Sequence, residues 1–243
     1  MSKKTSTQKK SKKKTQKKIL PQKMLIFKNP DKAFHEKWYP SRGILNFPHP
    51  WRAILSGPPH VGKTNTIINM VLHADPRFEK IIVHHTDPTY TREYDVLHKS
   101  GFDVELRDQV PKKSEFDGKT KTLIIFDDVN YKSLDKKELH RLDRLFGNWS
   151  THKNISCVAV AQDFFQMPNN IRRTANILVI YRPTDMDAFA AQARKSGIEY
   201  VTLKYLFDNI ATGKKDSIWL DMTEDTPYHY RLNGFDIIEK NTD

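Results

Sequence analysis

The feature that most limits what this chain can fold into is a short glycine-containing segment, residues 57–64, which reads GPPHVGKT. It matches the pattern GxxxxGK[ST] and lies between a predicted strand, Trp51–Ser56, and a predicted helix, Thr64–His73. In such a loop the glycines let the backbone approach a polyphosphate, whose charge is met by successive N–H groups and by the helix N-terminus. The segment therefore predicts a nucleotide-binding loop within an α/β fold.

Every residue of the loop is a candidate for nucleotide binding. These residues are Gly57, Pro58, Pro59, His60, Val61, Gly62, Lys63 and Thr64. Lys63 is expected to reach the β and γ phosphates of ATP, and Thr64 to hold Mg²⁺. Pro58 and Pro59 have no N–H group, so they remove two donors from the loop. The alternative is a Gly-Pro turn that merely precedes a helix, but the order of strand, loop and helix favours nucleotide binding.

An apolar predicted strand, Lys121–Asp127, is followed at once by a second acid, Asp128. Such a strand carries its last carboxylate to one edge of a parallel sheet, where Asp127 can bind Mg²⁺ directly or through water. Asp128 is then the candidate base that orients the attacking water. Paired acids at a strand end can also simply cap the next helix. Together with the loop, they predict a Walker B motif.

Short β-rich runs alternate with helical periodicity along residues 51–243, which predicts one domain with a mostly parallel sheet between two helical layers. The predicted strands are Trp51–Ser56, Lys80–His85, Phe102–Leu106, Lys121–Asp127, Ile155–Gln162 and Ala175–Tyr181. The predicted helices are Thr64–His73, Thr91–Lys99, Leu134–Trp149, Asp185–Ser196 and one after Ile198, before a hairpin of Ser217–Met222 and Tyr228–Leu232. The sequence thus predicts a three-layer αβα P-loop NTPase.

Gln162 ends one of these strands and is a candidate contact to the γ-phosphate. It can reach that phosphate if its strand lies between the loop strand and the Walker B strand. This is the additional-strand (ASCE, RecA-like) arrangement of motor ATPases. The alternative is a glutamine that caps a loop.

Two adjacent arginines, Arg172 and Arg173, precede the last core strand in what we predict to be a loop. Adjacent loop arginines usually lie on a solvated face. In an oligomeric ATPase, however, a guanidinium from this place can reach the γ-phosphate of a neighbouring subunit and neutralise developing charge. One of the two is therefore a candidate arginine finger.

The formal net charge of +12 is concentrated at one end of the chain. Residues 1–18 hold nine lysines and no acid, which leaves +3 for the rest. We predict a disordered lysine-rich arm over residues 1–18 and an extended, Pro- and aromatic-rich segment over residues 19–50 that packs on the domain. The arm can contact DNA or act as a nuclear localisation signal. No apolar run approaches the ~20 residues of a membrane span.

Four segments in this order, GPPHVGKT, LIIFDDV, CVAVAQD and PNNIRRTANILVIYR, resemble the FtsK/HerA-type genome-packaging ATPases of large DNA viruses, virophages and polinton-like elements. The resemblance covers about residues 51–197. It implies an ATP- and Mg²⁺-dependent ring, a hexamer or pentamer, that translocates double-stranded DNA into a preformed capsid and contacts capsid proteins. The implied location is the host cytoplasm in a virus factory, the nucleus, or the virion.

The resemblance also carries the family's functional roles to matching positions. These are Lys63 and Thr64 for nucleotide and Mg²⁺, Asp127 for the metal, Asp128 for water activation, Gln162 for γ-phosphate sensing, and Arg172 or Arg173 for the finger. Cellular relatives have Glu where this chain has Asp128.

Two other function classes stay open. One is a small P-loop kinase, and the other is a nucleic-acid-binding structural protein with an inactive loop. The sequence contains no NKxD motif and no LSGGQ-like motif, which argues against a regulatory GTPase and an ABC-type ATPase.

Overall fold

The structure is a computed structural model that describes residues 47–87, 92–223 and 230–238. The predicted arm, residues 1–18, and nearly all of the segment 19–50 lie outside the described residues.

Among the described residues, one sheet of nine strands forms the centre of the domain. The strands are β1 (Arg52–Ser56), β2 (Lys80–His85), β3 (Asp103–Arg107), β4 (Thr122–Asp127), β5 (Ile155–Ala161), β6 (Ile177–Tyr181), β7 (Ser217–Asp221), β8 (Tyr230–Leu232) and β9 (Asp236–Ile237). Their order across the sheet is β3-β2-β4-β5-β1-β6-β7-β8-β9. Strands β1 to β6 pair in parallel, and β7 to β9 add an antiparallel extension.

The position of β5 decides the class of the fold. It pairs with β1 on one side and with β4 on the other, so one strand separates the loop strand from the Walker B strand. The predicted αβα P-loop fold with an additional strand is confirmed.

Within the described ranges, seven α-helical segments connect the strands. They are α1 (Lys63–Leu72), α2 (Asp95–Lys99), α3 (Lys136–Arg144), α4 (Ser150–His152), α5 (Asn169–Thr174), α6 (Met186–Ser196) and α7 (Tyr200–Asn209). Short 3-10 turns cover Arg92–Tyr94, Lys113–Glu115 and Phe164–Gln166, and a π-helical stretch, Leu145–Trp149, links α3 to α4. None of the helices in the described residues has both the length and the apolar character needed to cross a membrane.

Strands β4 and β5 show why the sheet is buried on both faces. Every residue of β5 and all but the last residue of β4 are buried, as expected for parallel strands covered by helices. Successive side chains of β4 point to opposite faces of the sheet and belong to two separate apolar clusters. Ile124 belongs to one cluster, and Leu123 and Ile125 belong to the other. The buried strands therefore fix the positions of the polar residues that follow at their ends.

The described end of the segment 19–50 packs on the sheet through Phe47 and His49. The ring of Phe47 stacks on Trp219 at 5.9 Å. The ring of His49 donates from Nε2 to Asn154 Oδ1 at 2.7 Å and accepts at Nδ1 from Ser156 Oγ at 3.0 Å. Burial lowers the pKa of His49 to about 4, mainly through desolvation, so this network holds a neutral imidazole.

Several predicted elements need correction. The predicted loop that carries Arg172 and Arg173 is in fact α5, which begins directly after Pro168; the fixed φ of a proline is compatible with a helix start. The predicted helix Leu134–Trp149 begins later and departs from helical geometry at Gly147. Gln162 lies one residue beyond the end of β5. The predicted terminal hairpin is present as β7 and β8, and β9 follows it.

Candidate nucleotide-binding site

The loop between β1 and α1 requires glycine at two positions for different reasons. Gly57 lies so close to β6 that a Cβ added there would be 2.5 Å from the Cβ of Tyr181. Gly62, which immediately precedes α1, has φ 102°, in the left-handed region that favours glycine. The first turn of α1 contains no acid, and no side chain caps its N-terminus. The helix start therefore keeps its backbone donors for an anion.

Lys63 folds back over the loop. Its ammonium donates to the carbonyl oxygens of Gly57 and Pro58, both at 2.7 Å. Burial lowers the pKa of Lys63, while Asp127 and Asp128 act in the opposite direction. The charge is thus held in the concavity of the loop, where phosphate oxygens of a bound nucleotide would be its natural partners.

Asp127 lies at the end of β4, opposite the first residues of α1. The hydroxyl of Thr64 donates to Asp127 Oδ2 at 3.3 Å. The hydroxyl of Tyr94 donates to the same oxygen at 2.8 Å. The predicted pair of magnesium ligands, Thr64 and Asp127, is therefore assembled in direct contact.

Mg²⁺ fits this donor set only together with a nucleotide. Within the described ranges, no group of three or more His, Cys, Asp and Glu side chains could hold a metal ion by itself. A magnesium ion commonly takes one or two protein oxygens and completes its shell with waters and substrate phosphates. Thr64 and Asp127 supply such a partial set.

Asp128 is presented to solvent by an unusual backbone conformation. It has φ 50°, and its side chain is 73% exposed. Two groups from the end of β2 face it: Thr86 Oγ1 donates to the Asp128 carbonyl oxygen at 2.8 Å, and His85 Nε2 lies 4.0 Å from Oδ2. An exposed carboxylate beside Asp127 can reach a water molecule, as the predicted role of base requires.

A cleft of about 770 Å³ connects these groups. Its walls include the predicted residues Lys63, Thr64, Asp127, Asp128 and Gln162. The remaining lining residues are His85, Thr86, Glu93, Val129, Asn130, Tyr131, Lys132, Val160, Ala161 and Gln166. Its size suits a small-molecule ligand. Gln162 is exposed at the end of β5, on the same edge as the two acids.

Arg172 and Arg173 do not line this cleft. The guanidinium of Arg172 lies over the rings of Phe164 and Phe165, at 5.6 and 5.4 Å from their centroids. Arg173 is exposed, and its backbone carbonyl accepts a hydrogen bond from Lys195 Nζ at 3.1 Å. Neither arginine therefore lines the cleft of its own chain.

Four residues of the site were missed by the sequence analysis as functional positions: His85, Thr86, Tyr94 and Tyr131. Tyr94 and Tyr131 are buried beside Asp127, and burial followed by the Asp127 charge raises the pKa of both phenols. His85 pairs with Asp127 in the register of β2 and β4. A prediction of β2 next to β4 would have placed His85 at this edge, but no sequence signal marks the tyrosines.

No protein-family model matches the chain, and no curated protein matches it at a significant level. Solved structures do. The genome packaging NTPase B204 of Sulfolobus turreted icosahedral virus 2, in complex with sulfate, superposes with a TM-score of 0.54 at 13% sequence identity, covering 79% of this chain and 98% of B204. The chain has the fold of B204.

Two further structures agree with this result. B204 of the same virus in complex with ATPγS gives a TM-score of 0.51 at 13% identity, over 78% of this chain and 98% of that one. The DNA-packaging ATPase B204 of Sulfolobus turreted icosahedral virus gives 0.51 at 12% identity, over 76% and 97%. The resemblance read from the four sequence motifs is thus confirmed at the level of the fold, and the B204 fold extends over most of the described chain.

Proposed function

We propose that this protein is an ATP-hydrolysing motor that translocates double-stranded DNA into a preformed viral capsid. The observation that carries the proposal is the assembled triad of Lys63, Thr64 and Asp127, at the sheet edge where β5 separates β1 from β4. The fold shared with a viral packaging NTPase supports the choice of this class over other P-loop enzymes.

Each residue at this edge has a chemical task in hydrolysis. Lys63 exchanges its two loop carbonyls for phosphate oxygens and neutralises charge on the transferred group. Thr64 and Asp127 would hold Mg²⁺, and the ion would supply charge stabilisation to the nucleotide phosphates. Asp128 accepts a hydrogen bond from the attacking water, and the Gln162 amide contacts the γ-phosphate. Turnover then depends on how well these groups are aligned.

The motor acts as a ring, in which a neighbouring subunit completes each site. Arg172 and Arg173 lie outside the cleft of their own chain, as a finger that acts in trans requires. Arg173 is the better candidate, because its side chain is exposed. The guanidinium of Arg172 is instead stacked on two phenylalanine rings.

Mixing inactive variants tests the trans arrangement. Lys63→Ala subunits keep their arginines, and Arg173→Ala subunits keep their loops, so mixed rings contain some complete sites. Mixing should restore part of the ATPase rate, because trans arginines contribute about 10³ to 10⁵ in kcat where they are known. Arg172→Ala serves as the comparison. If chains exchange and every mixture remains inactive, neither arginine acts in trans.

ATP turnover with and without double-stranded DNA tests the proposed function. A motor should hydrolyse ATP faster when DNA is present. Turnover that requires a small-molecule acceptor would instead indicate a kinase, and the absence of turnover at saturating ATP and Mg²⁺ would indicate a structural DNA-binding protein. Either of these two results contradicts the proposal.

A further inference from the structure

Tyr94 is a buried phenol whose hydroxyl ends at the acidic edge of the sheet. It closes the 3-10 turn Arg92–Tyr94, immediately before α2. The residue is 2% exposed and belongs to the apolar cluster that contains Val83, Leu97 and Ile125. Because the ring is enclosed by these side chains, its hydroxyl is held in place without depending on solvent.

The hydroxyl makes one specific contact. It donates to Asp127 Oδ2 at 2.8 Å, and Thr64 Oγ1 donates to the same oxygen at 3.3 Å. Within the described part of the chain, Oδ1 of Asp127 accepts no hydrogen bond. The two hydroxyls therefore engage one carboxylate oxygen and leave the other without a protein donor.

In this contact Tyr94 is the donor, because an ionised carboxylate has no hydrogen to donate. A protonated phenol that donates to a carboxylate forms a charge-assisted hydrogen bond, which is shorter and stronger than a neutral one.

We propose that Tyr94 is a positioning residue. It orients the Asp127 carboxylate toward the Mg²⁺ of a bound Mg²⁺–nucleoside triphosphate. This inference rests on the proposed function. Groups that hydrogen-bond a metal-ligating carboxylate fix its orientation, and their removal typically costs about 10- to 100-fold in metal affinity. Tyr94 reaches Asp127 from the connection between β2 and β3, so the metal site depends on an element outside the loop and the Walker B strand.

Tyr94→Phe is the direct test, since it keeps the ring and removes only the hydroxyl. The readout is binding of a fluorescent ATP analogue to the full chain while Mg²⁺ is titrated. The Mg²⁺ concentration at half-saturation should rise about 10- to 100-fold, whereas analogue affinity in EDTA should not change. Tyr200→Phe is the matched control, because Tyr200, the first residue of α7, packs on Phe189 of α6 and does not line the cleft. Its Mg²⁺ requirement should equal that of the wild type.

An unchanged Mg²⁺ requirement in Tyr94→Phe overturns the proposal. Weaker analogue binding in EDTA also overturns it, since that result would mean the hydroxyl supports the loop rather than the metal ligand. If Tyr94→Phe does not fold, the same titration is made on a chain with 4-aminophenylalanine at position 94, because its para amino group can still donate to Asp127 and should preserve most of the metal affinity. Loss of metal affinity in that variant to the level of Asp127→Asn would overturn the donor role.

A double variant shows whether Tyr94 affects the Mg²⁺ requirement through Asp127 or independently of it. In the Asp127→Asn background, Tyr94→Phe should change the Mg²⁺ requirement no further, and an additive loss would refute the coupling. The test measures binding of the ATP analogue and does not require ATP hydrolysis. A wild-type chain that binds nucleotide with Mg²⁺ but does not respond to DNA would refute the proposed function and leave this inference standing.

Discussion

Gly57 is the position at which the nucleotide-binding loop depends most on having no side chain. A Cβ there would lie 2.5 Å from Tyr181 Cβ and 3.2 Å from two atoms of its ring, where ordinary contact is 3.4–4 Å. The clashing Cβ is attached to the backbone of β6, so it cannot rotate away. Gly57→Ala must therefore push the loop away from β6 by about 1 Å, which also strains the hydrogen bond from Gly57 N to Ala161 O.

The cost of this displacement can be measured as a fall in melting temperature. Overpacking of a well-filled site costs about 1–3 kcal/mol, and each kcal/mol corresponds to about 2–4 °C for a chain of this size. We expect Gly57→Ala to melt about 2–12 °C below the wild type and to bind ATP more weakly.

Gly213→Ala is the matched control. A Cβ at Gly213 would meet the end of the Asp216 side chain, with a carboxylate oxygen at 2.8 Å as the nearest atom. That side chain can rotate away if it gives up its hydrogen bonds to Gly213 N and Asn233 Nδ2, whereas the Cβ of Tyr181 cannot move without the backbone of β6. Thermal denaturation followed by circular dichroism, with and without ATPγS, compares the two variants. If Gly57→Ala melts at the same temperature as Gly213→Ala and binds ATPγS like the wild type, the close approach of loop and strand is not a structural requirement.

Four further predictions concern catalysis, DNA binding and pH. Lys63→Ala should abolish ATP hydrolysis and leave the melting temperature nearly unchanged, because it removes a charge from the phosphates without emptying the core; a coupled phosphate-release assay measures it. Asp128→Asn should bind Mg²⁺ and ATP but hydrolyse slowly, and normal turnover would place the base elsewhere. Deletion of residues 2–18 should weaken DNA binding and reduce its salt dependence, by up to about 0.9 in slope for each DNA phosphate that the arm neutralises; an unchanged slope would favour nuclear import. Because the pKa of His49 is about 4 in the folded chain and 6.5 otherwise, the unfolded state binds the extra proton between these values. Wild-type stability should therefore fall as pH falls from 6.5 to about 4, by about 3 kcal/mol at most, and urea titrations of His49→Gln should lack this component.

The sequence predicts the central features of the fold because they depend on local signals. The strand, loop and helix around residues 57–64 follow from glycine spacing and hydrophobic period, and the apolar run before Asp127 marks a doubly buried strand. The placement of the strand before Gln162 between the other two is only a condition of the predicted role of Gln162, and the structure meets it in β5.

Other features of the site depend on contacts that no local pattern encodes. The bond from Tyr94 to Asp127 joins residues 33 positions apart and exists because β2 is the neighbour of β4. The left-handed conformation of Asp128 is not suggested by its residue type, since aspartate adopts it only occasionally. Helix α5 was predicted as a loop because six residues, NNIRRT, are too few to show a helical period.

ATP-driven movement along double-stranded DNA is the most direct test of the proposed function. A triplex-displacement assay measures it: a motor that translocates along the duplex strips off a third strand annealed downstream. The wild-type chain should displace the third strand only with ATP and Mg²⁺, and Lys63→Ala should not displace it. A wild-type chain that binds the duplex and hydrolyses ATP at its full rate, yet leaves the third strand in place, would contradict the account.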